Sequence, residues 1–165
     1  MILELKGIFA GIGKSLPIDC TLDMSREEIS GCYPLKKPVK AQGSVFNRAS
    51  VVTLNLQIDF EYIAPCDRCG KETAREFSVI IDKSLATSIE GEESDTIIIV
   101  PDMRLDVDQL IFSEVILSLP TKHLCSETCK GICFKCGKDL NEGNCECDKK
   151  EIDPRLQKLA DLLNN

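Results

Sequence analysis

The pattern Cys-x-x-Cys-Gly-Lys occurs twice in this chain of 165 residues, at residues 66–71 and 133–138. Two cysteines at this spacing can bind one metal ion across a tight turn, and the following glycine tolerates the positive φ that such a turn often needs. Structural zinc takes four ligands in a tetrahedron, so each pair needs a second pair. The chain is therefore expected to fold so that separate cysteine pairs meet.

Other clustered cysteines supply the candidate partners. Residues 133–147 follow the pattern Cys-x2-Cys-x8-Cys-x-Cys, with turn-forming residues between the two pairs, so a hairpin can close a compact zinc-ribbon-like site. The predicted ligands of this site are Cys133, Cys136, Cys145 and Cys147. The four that remain, Cys66, Cys69, Cys125 and Cys129, form a second set. The sequence predicts one or two zinc ions, and crossed pairings stay open.

Other interpretations of the cysteines are also open. A thiol redox protein could use Cys66/Cys69 or Cys133/Cys136, although a thioredoxin-like dithiol should lie near a βαβ pattern, which the sequence lacks. An iron–sulfur cluster is a further alternative, because cysteine thiolates also hold those clusters. Disulfides are less favoured, since residues 1–6 carry charges within an apolar stretch and predict no signal peptide. We expect a cytoplasmic protein, where thiols stay reduced.

His123 is the one histidine of the chain and precedes the cysteine Cys125 by two positions. We expect an ordinary surface histidine rather than a metal ligand. A single histidine removes most designs for acid–base catalysis, and no nucleophile–base pair can be read from the other residues. The sequence therefore predicts that the protein is not an enzyme.

Strict alternation of apolar and polar residues from Val52 to Tyr62 predicts a long, half-buried strand. A turn at residues 47–50 would join it to a strand at about 39–46, and shorter strands are predicted at 77–82 and 96–100. We predict a helix at about 106–119, capped by Asp106 and ended by Pro120.

These elements predict an α+β fold. Residues 1–120 would form an antiparallel β-sheet domain with a covering helix, and residues 121–165 a cysteine-rich zinc-binding tail with a closing helix from Asp153. We predict a first strand at residues 2–9 and then a glycine-rich turn. Residues 11–15, Gly-Ile-Gly-Lys-Ser, resemble the end of a phosphate-binding loop but lack its first glycine, so we interpret them as part of that turn.

The charges are distributed unevenly, with 27 acidic and 20 basic residues and a formal net charge of −7. No apolar run approaches the roughly 20 residues that a membrane helix needs, so no membrane partner is expected. The segment between Glu28 and Asp59 contains no acidic residue. Its basic residues are candidate contacts for RNA: Lys36, Lys37, Lys40 and Arg48.

The motifs of the tail, together with the first cysteine pair, resemble those of the YceD family, the large ribosomal RNA subunit accumulation proteins. The matching segments are residues 117–120 (Leu-Ser-Leu-Pro), the cysteine runs 125–133, 136–141 and 145–147, residues 153–156 with Leu159, and Cys66-Asp67-Arg68-Cys69. The resemblance spans roughly residues 40–163. It implies a bacterial, cytoplasmic non-enzyme that supports accumulation of large-subunit ribosomal RNA. Some family members lack the cysteine-rich tail, so its metal is not expected to be their shared activity.

The charge balance bears on which partner is bound. Each zinc with four thiolates adds −2 to an already acidic chain, whereas RNA affinity depends largely on phosphate neutralisation. Phe46 and Phe134 are the aromatic residues near positive clusters, the latter beside Lys130, Lys135 and Lys138. The expected partner is large-subunit ribosomal RNA or a basic ribosomal protein, with no small-molecule substrate. A structural zinc protein with an unrelated protein partner is the alternative.

Overall fold

The structure is a computed structural model that describes residues 1–11, 15–88 and 95–147. Within these ranges the chain forms mostly β-sheet, with two helices. The strands are β1 (Ile2–Glu4), β2 (Ser15–Leu22), β3 (Val39–Arg48), β4 (Val51–Pro65), β5 (Glu72–Ala86), β6 (Ile97–Ile99) and β7 (Arg104–Asp106). The helices are α1 (Lys6–Phe9) and α2 (Val107–Ser118).

The larger sheet has the strand order β2-β3-β4-β5-β6, and β1 pairs with β7 in a separate two-stranded sheet. Neighbouring strands from β2 to β5 are antiparallel, as predicted. The short strand β6 is the exception, because it runs parallel to the end of β5. β4 and β5 pair from Val52↔Leu85 to Pro65↔Glu72, which carries both strands to the first cysteine pair.

A tight turn joins β3 to β4 at the predicted place. Arg48 pairs with Val51, so the loop consists of Ala49 and Ser50 alone. Both loop residues have positive φ, 52° and 67°, as a two-residue hairpin of type I′ requires. This turn sets the register that places alternate residues of both strands on the core side.

The core lies on one face of the large sheet. Every second residue of β4 is buried: Val52, Leu54, Leu56, Ile58, Phe60, Tyr62 and Ala64. The predicted helix is confirmed as α2, whose N-cap Asp106 accepts hydrogen bonds from the backbone amides of Asp108 and Gln109. Val107, Ile111 and Val115, spaced by four residues, are fully buried and join the same core cluster. This apolar burial is the main stabilising contribution of the helix.

The N-terminal prediction was wrong in its extent. β1 ends at Glu4, and Lys6–Phe9 form the short helix α1 rather than more strand. β1 can pair only with the three residues of β7. The turn of α1 follows β1 and brings Ile8 into the core.

The strand β2 was not predicted, since Pro17 lies within it. It pairs with β3 alone in the described sheet, an edge position that tolerates proline. The predicted closing helix lies outside the described residues, and the domain division at residue 120 stays a prediction.

Candidate metal centres

The first group of four cysteines lies where β4 and β5 end. We call it the strand site: Cys66, Cys69, Cys125 and Cys129. Its sulfur atoms all lie within 4.8 Å of one another. The Sγ atoms of Cys66 and Cys129 are 3.9 Å apart, and those of Cys69 and Cys125 are 3.6 Å apart. Four sulfurs at about 2.3 Å from a tetrahedral zinc would be separated by about 3.8 Å, so the observed spacing fits that ion.

The second group is formed within residues 133–147, and we call it the tail site: Cys133, Cys136, Cys145 and Cys147. Its four sulfur atoms also lie within 4.8 Å of one another. The structure therefore groups the eight predicted ligands into the two predicted sets. The tail site is the more open of the two, because Cys136 is exposed, whereas the strand site has two buried cysteines.

The two Cys-x-x-Cys-Gly-Lys turns share one backbone geometry. In the first, the amide of Cys66 donates to the carbonyl of Lys71 at 2.9 Å, and the amide of Gly70 donates back to the carbonyl of Cys66 at 2.8 Å. The second turn repeats both bonds at 2.8 Å each. Gly70 and Gly137 both have a φ of 73°, which accounts for the glycine in both copies.

The electrostatics of the thiols favour a divalent cation. Burial opposes ionisation of Cys66, but backbone amide donors, among them those of Cys125 and Arg68, lower its pKa to about 6. The Cys129 side chain, with burial, raises the pKa of Cys125 to about 12. The tail site repeats the contrast, with a pKa of about 6 for Cys133 and about 12 for Cys147. Thiolates this close repel one another, so a bound dication is needed for all four to ionise together.

Arg68 connects the first turn to the tail. Its Nη1 donates to the carbonyl oxygen of Cys129 at 2.7 Å, and its own carbonyl accepts from the amide of Ile132 at 3.2 Å. A Cβ on Gly131 would lie 2.9 Å from that same carbonyl, and Gly131 has a φ of 74°. The close approach of the two segments therefore requires glycine at position 131.

His123 is buried, so the expectation of a surface histidine was wrong. Its exposed fraction is 3%, and its Nε2 lies 2.8 Å from the hydroxyl and 3.2 Å from the carbonyl oxygen of Thr73. Its backbone exchanges two hydrogen bonds with Asp67, and its ring packs edge-on against Tyr62 at 5.1 Å. His123 belongs to neither cysteine cluster and instead anchors the tail on the sheet.

Asn141 links the two sites. Its side-chain amide nitrogen lies 3.4 Å from the sulfur of Cys129, and its oxygen accepts from the amide of Lys130 at 2.8 Å. Asn141 itself lies in the hairpin that leads to Cys145. Sequence reasoning identified the cysteines but missed Asn141 and Thr73, and it named Asp67 and Arg68 only as parts of a motif. The sequence signal for these contacts was the Cys-x-Arg-Cys pattern of residues 66–69, which marks Arg68.

The four basic residues proposed for RNA contact do not form one continuous positive surface. The ammonium of Lys36 lies 3.1 Å from a carboxylate oxygen of Glu72, and that of Lys37 lies 2.9 Å from Glu61. Lys40 stands opposite Asp59 in the β3–β4 ladder. The remaining one, Arg48, lies at the far end of β3, beside the hairpin turn. Neighbouring carboxylates thus reduce the field of the lysines.

Residues 54–163 match the family described as "Large ribosomal RNA subunit accumulation protein YceD". This chain belongs to the YceD family. The matched range contains all eight cysteines of the two sites. No solved structure gives a significant match.

Relatives come from bacteria and a plant. The uncharacterized protein YlbN of Bacillus subtilis is 28% identical over 76% of this chain and 74% of its own length. The "Large ribosomal RNA subunit accumulation protein YCED homolog 1, chloroplastic" of Arabidopsis thaliana is 24% identical over 79% of this chain. An uncharacterized protein of Mycobacterium tuberculosis is 30% identical over 61% of this chain. The chain spans half the length of the last two relatives.

The described residues include no helix that is both long enough and apolar enough to span a lipid bilayer.

Proposed function

We propose that this protein is a non-enzymatic, cytoplasmic ribosome-biogenesis factor that supports accumulation of large-subunit ribosomal RNA. The observation that carries the proposal is membership of the YceD family over residues 54–163. The family is named for large-subunit ribosomal RNA, and that name describes no chemical reaction. The relatives from Bacillus and Mycobacterium favour a bacterial setting.

We propose that both cysteine clusters hold structural zinc. The donor set supports this assignment, because four thiolates fill a tetrahedral ion and leave no position open for substrate or water. Cys66, Cys69, Cys125 and Cys129 would hold one ion, and the cysteines of the tail site would hold the other. Bound zinc would supply cross-linking rather than catalysis: one ion joins the end of β4 to the tail, and the other closes the tail on itself.

A thiol redox function is less well supported. Reactive cysteines of that class commonly lie at the N-terminus of a helix, which lowers their pKa. Cys66 instead follows β4 and begins a turn that leads into β5, and Cys133 begins a turn that leads into a hairpin. Each pair also shares its centre with a second pair, as a metal site requires and a two-cysteine redox centre does not.

The proposed partner is large-subunit ribosomal RNA or a ribosomal protein bound to it. A direct RNA contact through Lys36, Lys37, Lys40 and Arg48 remains a proposal, and it is weakened by the carboxylates beside Lys36 and Lys37. An acidic chain with a formal charge of −7 can also attract a basic ribosomal protein.

The test is depletion of the protein in its own cell, followed by measurement of large-subunit against small-subunit ribosomal RNA. The proposal expects a selective fall in large-subunit RNA, restored by the wild-type gene. Tagged protein should also retain ribosomal components from lysate, and nuclease treatment separates RNA-dependent from protein-mediated retention. An unchanged ratio of the two RNAs after depletion would contradict the proposal. Metal analysis and thiol assays of the reduced protein test the redox alternative. Stoichiometric zinc, together with thiols that catalyse no exchange, would oppose it.

A further inference from the structure

We propose that the second Cys-x-x-Cys turn is a binding site for single-stranded RNA, in which Phe134 stacks on an unpaired base and nearby lysines contact the phosphates. The inference deepens the proposed function and rests on it, since it names the segment that would touch the RNA. The observation behind it is that two turns with the same backbone present different chemistry at their tips.

The tip of the first turn is used inside the molecule. Asp67 exchanges hydrogen bonds with the backbone of His123, its amide donating at 2.8 Å and its carboxylate accepting at 2.7 Å. Arg68 donates to the carbonyl of Cys129 at 2.7 Å. Both middle residues of that turn therefore bind the chain's own tail.

The tip of the second turn has Phe134 in the position of Asp67. The side chain of Phe134 is 84% exposed, more than any other large apolar residue in the part of the chain that the structure describes. A phenyl ring cannot form the polar contacts that Asp67 makes, and exposing it to water is unfavourable. Ile132, one residue before the turn, is also 50% exposed. An aromatic face held outward on a cross-linked turn is available for stacking.

The charges around this ring favour a polyanion. No acidic residue occurs from Lys130 to Lys138, and Lys130, Lys135 and Lys138 are exposed. The ammonium of Lys138 donates to the neutral carbonyl of Asn144 at 3.0 Å, and Glu146 lines the same cleft. Lys36 and Lys37 each lie against a carboxylate, whereas Lys138 donates to a carbonyl. The second turn is therefore the better candidate for phosphate contact.

Single-stranded RNA fits this surface better than duplex RNA. Unpaired bases stack on aromatic side chains, whereas paired bases expose little of their faces. A zinc-loaded tail site carries a net charge of −2, which offsets part of the attraction from the lysines. Most of the discrimination is then expected from stacking on Phe134, with a moderate dependence on salt.

The experiment measures binding of the zinc-loaded full chain to a labelled ten-nucleotide single-stranded oligo(U), with a blunt RNA duplex of the same length as competitor. Phe134→Ala should weaken binding about 5- to 150-fold at unchanged zinc content. Phe134→Tyr should keep most of the affinity, and Phe134→Leu should lose it. The leucine variant separates stacking from general apolar contact, since leucine keeps the hydrophobic surface without the π-face.

A second measurement uses the absence of tryptophan from the chain. Phe134→Trp introduces a single tryptophan, which can be excited selectively over the two tyrosines and whose emission should be quenched when oligo(U) stacks on it. Ile80→Trp is the matched control, because Ile80 is 72% exposed on β5, away from the second turn in sequence. Its emission should not change with the same RNA.

Three results of the RNA-binding measurements overturn the proposal: no binding of wild-type protein to the oligonucleotide, equal binding by Phe134→Ala, or binding retained by Phe134→Leu. A pull-down from nuclease-treated lysate can also overturn it in favour of a protein partner. That happens if the wild-type chain retains a ribosomal protein and the Phe134→Ala variant does not. These results leave the proposed function standing. That function fails only if depletion of the chain leaves large-subunit RNA unchanged.

Discussion

Arg68 and Cys129 are 61 residues apart in sequence, yet the guanidinium of the first lies 2.7 Å from the carbonyl oxygen of the second. The bond spans the strand site, since Arg68 lies between two of its ligands and Cys129 is a third. This hydrogen bond holds the tail against the first turn without involving a metal ion. The geometry of the strand site thus depends on this hydrogen bond as well as on its sulfur atoms.

Replacing Arg68 with alanine should loosen the tail without unfolding the sheet. A hydrogen bond from a charged group is lost, with an expected cost of about 1.5–3 kcal/mol. Urea unfolding of the zinc-loaded protein measures this cost, and hydrogen exchange should show faster exchange at residues 121–132. Lys71→Ala is the control, because it removes a cation from the same turn while Arg68 keeps its bond. Equal exchange in both variants would show that Arg68 does not orient the tail.

Loss of one ligand should affect the two sites differently. Cys136→Ser and Cys69→Ser should each reduce the zinc content from two ions to one, in line with the two clusters. Cys136→Ser should loosen only the local hairpin. Cys69→Ser should lower the melting temperature more, because the strand site joins residues 56 positions apart, and such a link restricts the unfolded chain strongly.

Cys20→Ser is the control for these variants, since Cys20 belongs to neither cluster. Metal analysis and thermal unfolding measure the outcome. Unchanged zinc content in Cys136→Ser would reject the tail site as assigned. Equal melting temperatures in the two ligand variants would reject the difference in structural role.

His123→Ala should destabilise the protein and keep both metal ions. The substitution removes the contact with Thr73 and the packing against Tyr62, and we expect a cost of about 2–4 kcal/mol from the cavity and the lost bond. Chemical unfolding measures the cost, and metal analysis measures the ions. Loss of one ion from this variant would contradict the prediction and would instead place His123 in a metal site.

The acid-free segment should contribute less to RNA binding than the second turn. Replacing Lys36, Lys37 and Lys40 together by glutamine should lower the salt slope of RNA binding only slightly, because Lys36 and Lys37 already lie against carboxylates. The matched variant replaces Lys130, Lys135 and Lys138 by glutamine, and should reduce the slope more. A larger effect at residues 36–40 would return the main RNA contact to that segment.

Sequence reasoning succeeded where a feature is set by a local pattern of residues. The alternation of β4 is a local pattern, and each even residue from Val52 to Tyr62 is buried as predicted. Asp106 was found for the same reason, since an N-cap is read within a few residues. The cysteine sets were grouped by counting ligands, which needs no knowledge of the fold. What could not be predicted depends on contacts between distant segments.

His123 illustrates this limit. Its burial depends on contacts with Thr73 and Asp67, which lie 50 and 56 residues earlier in the chain. No local sequence pattern predicts those contacts. The ion pairs of Lys36 with Glu72 and of Lys37 with Glu61 could not be predicted for the same reason, because they join residues that are distant in sequence. The parallel pairing of β6 with β5 likewise depends on the path of the connection rather than on either strand's residues.

The pairing of ligands in the strand site also bears on the order of events during synthesis. Cys66 and Cys69 emerge from the ribosome well before Cys125 and Cys129, so a nascent chain carries half a site while its sheet forms. The ligands of the tail site emerge after both of these pairs and close together. Completion of the first site must therefore wait until residue 129 has emerged, which places metal loading after synthesis of the strands of the large sheet.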